Sequence, residues 1–127
     1  MNPAPGYKEH PAHHLAAKPA GLRVQVRYQG RLIADTRDAV ALEEASSSGS
    51  VVAPTVYYLP RKDVDMAALV RTSHSTYCPF KGHASYYSLK DGPENAVWSY
   101  EETYDEMRAI EGLLAFYPDK VETVTAP

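Results

Sequence analysis

The sequence predicts a mainly-β domain, and three observations carry that reading. Apolar and polar residues alternate over many short runs, Gly, Pro, Asn and Asp separate the runs, and only two stretches show helical spacing. With 127 residues, 44% of them hydrophobic, the chain suits one domain with a modest core rather than two.

Residues 1–20 hold four prolines and His10, His13 and His14, and show no periodicity. They read as an extended N-terminal arm, laid over the domain or frayed, ahead of a single β domain at 21–127. The histidines have no nearby carboxylate or thiolate to complete a metal set, so no metal is expected there. Leu22, Val24, Val26 and Tyr28 alternate with Arg23, Gln25 and Arg27 as a half-buried strand. Gln29-Gly30 turns the chain into a hairpin partner over residues 31–35. A third strand covers 39–43, and the serine-rich 46–50 stretch reads as a flexible polar loop.

Thr55 to Leu59 is a β-rich strand ending at Pro60. Residues 63–70 read as a short helix capped by Asp63, with Val64, Ala67 and Ala68 on one face. Strands at 71–77 and 83–89 flank a tight corner at 78–82, where Pro79 fixes its own φ and Gly82 can take a positive one. Residues 95–100 pair back, with Trp98 and Tyr100 on one face. A second short helix spans 102–111, with Thr103 and Glu106 as a capping box. A last hairpin, 113–117 with 120–124, turns at Pro118-Asp119.

The formal net charge is −3 and no basic stripe occurs, which argues against a nucleic-acid partner. No apolar run approaches a bilayer span, so no membrane partner is expected and a cytoplasmic location is the default. The single cysteine excludes an internal disulfide and a cysteine-rich zinc knuckle. Neither a Gly-x-Ser-x-Gly elbow nor a phosphate-binding glycine loop is present, and no cofactor is expected.

The corner gathers the most versatile side chains. Cys78 would act as a nucleophile or redox thiol if Lys81, His74 or His83 lowered its pKa; the bland alternative is a small buried hydrophobe. Lys81 and Arg61 are candidate anion-binding cations, Arg61 through its bidentate fork. Ten tyrosines against two phenylalanines is unusual usage that suits a core open to a wet cleft. Tyr58, Tyr86, Trp98 and Tyr100 are the candidate walls.

Four stretches together resemble a bacterial and fungal family described as domain of unknown function 427. They are Tyr57-Tyr58-Leu59-Pro60-Arg61-Lys62-Asp63-Val64, Cys78-Pro79-Phe80-Lys81-Gly82 with Ala84-Ser85-Tyr86-Tyr87, Glu94 to Tyr100, and Ala115 to Glu122. The resemblance covers roughly residues 7–124. It implies a small β-tent of two antiparallel sheets meeting at a steep angle, without the zinc of related tent domains. The family also carries a nucleotidyltransferase label, but no paired-aspartate metal site stands here to match it. Two departures mark the chain: His83 replaces a usually acidic residue, and the 46–50 stretch is longer than usual.

Together these residues point to a small-molecule-binding β domain whose aromatic cleft is flanked by Arg61 and Lys81. The alternatives are an enzyme using Cys78, with His74 or Lys81 as its activator, and a protein-interaction or homodimerisation module.

Overall fold

The computed structural model describes residues 2–45 and 53–127, so the serine-rich 46–50 stretch lies outside the described residues. The expected mainly-β architecture is present, but as three antiparallel sheets rather than two. In chain order the strands are β1 (His14–Pro19), β2 (Arg23–Tyr28), β3 (Arg31–Thr36), β4 (Val40–Ala45), β5 (Val56–Tyr58), β6 (Leu69–Cys78), β7 (Gly82–Leu89), β8 (Val97–Thr103), β9 (Ala115–Phe116) and β10 (Glu122–Ala126). One sheet runs β1-β4-β5, a second β10-β2-β3, and the largest β6-β7-β8-β9.

The alternation at 22–28 becomes β2, whose Val24 and Val26 are buried while their neighbours are less so. Gln29 and Gly30 both take positive φ at the turn into β3, as that hairpin requires. The arm is not wholly irregular: Gly6–Glu9 makes a single helical turn and His14–Pro19 pairs along the whole of β4. The two expected helical stretches are present as short 3₁₀ turns, at Arg61–Asp63, Met66–Ala68 and Asp105–Ile110. The first two stay short because neighbouring segments of the sheets take their backbone groups. Asp65 N–H donates to Ile33 at 2.8 Å, and Ala68 C=O accepts from Lys90 at 2.8 Å.

Two local readings need correction. Asp63 does not cap a helix; its carboxylate accepts the Thr36 hydroxyl at 2.7 Å. Thr103 is the last residue of β8 and donates to Glu111 at 3.1 Å, while Glu106 accepts Ala4 N–H at 2.9 Å, so no capping box forms. The C-terminal hairpin is also absent. β9 pairs with β8, whereas β10 crosses to β2, because each finds a longer partner elsewhere.

The sheets are joined by isolated bridges. Leu59 and Leu114 exchange both backbone hydrogen bonds, at 2.7 and 2.9 Å, and Ala34 pairs with Val64. Residues 72–74 bulge out of β6, where Arg71 faces Tyr87 but Ser75 already faces Ser85. Two apolar clusters fill the interior. Val24, Val26, Leu59, Tyr87, Val97 and Leu114 belong to the first; Leu42, Tyr58, Tyr86, Tyr100, Met107 and Ile110 belong to the second. Among the described residues, no helix is long and apolar enough to cross a membrane.

Leu114 is fully buried at a bridge between sheets, whereas Val124 on β10 is 41% exposed. Leu114→Ala should therefore cost about 2–5 kcal/mol by denaturant unfolding. Val124→Ala should stay within about 0.5 kcal/mol.

Candidate functional site

The corner between β6 and β7 forms as its residues require. Lys81 N–H donates to Cys78 C=O at 3.3 Å, and Gly82 enters β7 at φ +120°. A Cβ on Gly82 would stand 2.9 Å from the Glu102 carbonyl oxygen, so only glycine lets β7 approach β8 this closely.

Strand parity then sorts the candidate residues between two faces of the large sheet. Ala84, Tyr86 and Tyr100 belong to one cluster, with Trp98 and the half-buried Cys78 packed against it. Tyr58 reaches the same cluster from β5, and its hydroxyl accepts the Trp98 indole N–H at 3.3 Å. Tyr117 packs on Trp98 with ring centroids 4.5 Å apart. Lys81 stands over the Tyr100 ring, its Nζ 5.8 Å from the centroid and its side chain only 16% exposed. That ammonium lies 3.6 Å from Glu44, whose other carboxylate oxygen accepts from His13 Nε2 at 3.0 Å. Burial is the main force on the phenols here. It pushes Tyr58 and Tyr100 well above the ordinary tyrosine value, and it takes Tyr117, helped by the neighbouring Tyr86 hydroxyl, up to about 12.

Arg61 does not join them, so the two cations do not flank one cleft. Its guanidinium lies on the opposite face, donating to Gly112 C=O at 2.8 Å, Tyr87 hydroxyl at 3.2 Å and Ser99 hydroxyl at 3.3 Å. Arg71 closes on the same Tyr87 ring and on Glu101, 2.7 Å away. Hydrogen bonding to Arg71, ahead of the charges of Arg71 and Arg61, holds the Glu101 carboxyl below its usual range. Most donors of both guanidiniums are thus already used inside the protein. His74 sits exposed on the bulge of β6, its ring edge-on to Tyr86 with centroids 4.5 Å apart.

Among the described residues, the three sheets leave a space where they meet. A hollow of about 330 Å³ remains, bounded by Val24 and Val26 of β2, Val56 and Leu59, Trp98, and Phe116. Trp98 therefore separates two environments: the tyrosine cluster with Lys81 on one side and the apolar hollow on the other. Of the sequence candidates only Trp98 borders the hollow; Tyr58, Tyr86, Tyr100, Lys81 and Cys78 gather beside it, and Arg61 stands apart. Val24 and Val26 were readable as inward-facing residues, but nothing in the alternation says that their sheet leaves a gap. Glu44 and Tyr117 also escaped the sequence reading, and His13 entered it only as part of a histidine cluster weighed for metal. Their roles depend on β1 pairing with β4 and β9 with β8, both distant in the chain. Among the described residues, no group of three or more His, Cys, Asp or Glu side chains is arranged to hold a metal ion.

The family model described as domain of unknown function (DUF427) matches residues 16–126, and the chain belongs to that family. Residues 2–13, including His13, lie ahead of the matched stretch. No curated protein matches the chain.

The raised phenols carry a pH consequence. Their folded pKa values exceed the ordinary 10.0, so the stability they contribute is complete below pH 10 and is lost as pH rises through the folded values. In a spectrophotometric titration the phenolate signal of Tyr58, Tyr100 and Tyr117 should appear above pH 10, together with unfolding, and Tyr117→Phe should remove part of it.

Proposed function

We propose that this DUF427 domain binds a small apolar or aromatic molecule in the hollow where its three sheets meet. The observation that carries the reading is a space of about 330 Å³ whose accessible wall comes from the partly buried Val56, Tyr57 and Trp98, with the buried Val24, Val26 and Leu59 closing its floor. Apolar side chains left facing such a space forgo contacts that a guest molecule would restore. It lies at the small end of ligand pockets, matching a molecule of one or two rings.

The physical terms favour an apolar guest. The lining is aliphatic and aromatic, and its polar groups are few: the hydroxyls of Thr55, Tyr57 and Thr123. The Trp98 indole N–H is held by Tyr58, so the ring offers its apolar surface rather than its donor. Burial of the guest supplies the favourable term, and a threonine hydroxyl at the rim orients a single polar substituent. Neither Lys81 nor Arg61 lines this space, so an anionic guest finds no matching charge within it.

Trp98 is the only tryptophan, which makes its fluorescence a direct reporter of occupancy. Titration with one- and two-ring aromatic fragments such as phenol and naphthalene should change that fluorescence saturably, with Kd of ~0.1–1 mM for a one-ring guest. Val56→Phe fills the space from a half-buried position and should weaken the response about tenfold while the protein stays folded. A linear, unsaturable response to every fragment, or an unchanged Kd in Val56→Phe, would refute the reading.

A further inference from the structure

The segment ahead of the family match is fastened to the corner and to the Asp105–Ile110 turn by a few specific contacts. Gly6 N–H donates to Pro79 C=O at 3.0 Å, Ala4 N–H to Glu106 at 2.9 Å, and Asp105 N–H to Asn2 C=O at 3.1 Å. Gly6 lies flat on the Phe80 ring, where a Cβ would come within 2.7 Å of the ring carbons. The Tyr7 ring meets Phe80 edge-on at 5.0 Å and the His13 ring stacks on it at 4.5 Å. The segment thus covers Pro79 and Phe80, between Cys78 and Lys81 in the chain, and its His13 shares the Glu44 carboxylate with the Lys81 ammonium. Burial first, then the nearby groups of Glu106, Cys78 and Glu44, raises the pKa of the Tyr7 phenol.

What the segment buries is small. Only Ala4 and Gly6 are fully covered, Tyr7 and His13 are partly so, and the remaining residues from 2 to 13 are exposed. Apolar burial is what makes an element costly to open, and two such small residues contribute little of it. The core strands below bury whole valine, leucine and tyrosine side chains. Local opening of the segment is therefore far cheaper than unfolding, and it frees the Phe80 ring between Cys78 and Lys81.

We propose that residues 2–13 are a displaceable strap, whose opening without global unfolding controls solute access to Cys78 and Lys81. This goes beyond ligand binding in the hollow, which lies across the Trp98–Tyr58 wall from the strap.

The test is native-state alkylation of Cys78 by iodoacetamide on the full chain, followed by intact-mass spectrometry. Gly6→Val forces a side chain against Phe80, and Glu106→Ala removes the acceptor of Ala4 N–H. Labelling should accelerate roughly tenfold in Gly6→Val and by a smaller factor in Glu106→Ala, with the cooperative melting transition retained. Three results would overturn the proposal. One is a wild-type rate equal to that of the unfolded chain, which means nothing is covered. Another is an unchanged rate in both variants. The third is loss of cooperative melting in either variant, which makes the segment an integral part of the core.

Discussion

The two backbone hydrogen bonds exchanged by Leu59 and Leu114 are the constraint on which the rest of the arrangement depends. They lie outside any regular ladder, yet they tie the strand carrying Tyr58 to the strand pair carrying Trp98. Both leucines are buried, so neither backbone group has water as an alternative partner and the bridge must be kept whole. With that junction fixed, Tyr58 meets the Trp98 indole, and Val56 faces across to β2. A second junction, Ala34 with Val64, holds the remaining sheet in place. Three small sheets pinned at such points cannot interdigitate everywhere, and the hollow is the volume left over.

Much of the strand order was legible because it rests on local patterning. The alternation of 22–28, the turn at Gln29-Gly30 and the corner at Pro79–Gly82 each act over a few residues, and each appears where the residues put it. What failed to show was the choice of partner. Pro118-Asp119 has the chemistry of a turn, but β9 and β10 separate there to join different sheets. His14 to Pro19 has no alternation at all, and becomes a strand only because β4 offers it a full-length edge. The 63–70 stretch has helical spacing, but adjacent strands claim its backbone groups before a second turn can form.

The candidate site divides along the same line. Trp98 and Tyr100 share a face by parity alone, and the structure keeps them together. Arg61 lies on a 3₁₀ turn, where no parity rule applies, and it emerges on the far side of the sheet. The tyrosine excess has a physical account as well. Tyr58 and Tyr86 each bury a ring while keeping a hydroxyl partner, in Trp98 and Thr76, which phenylalanine could not do.

The bulge at residues 72–74 has a consequence for how this protein behaves in a crowded solution. β6 is an outer strand of ten residues, long enough for another chain's backbone to zip alongside. The bulge cuts that run into two short pieces of different register and turns exposed polar side chains outward between them. A neighbouring chain can match one piece or the other but not both, which is how a domain rich in strands avoids growing into fibrils.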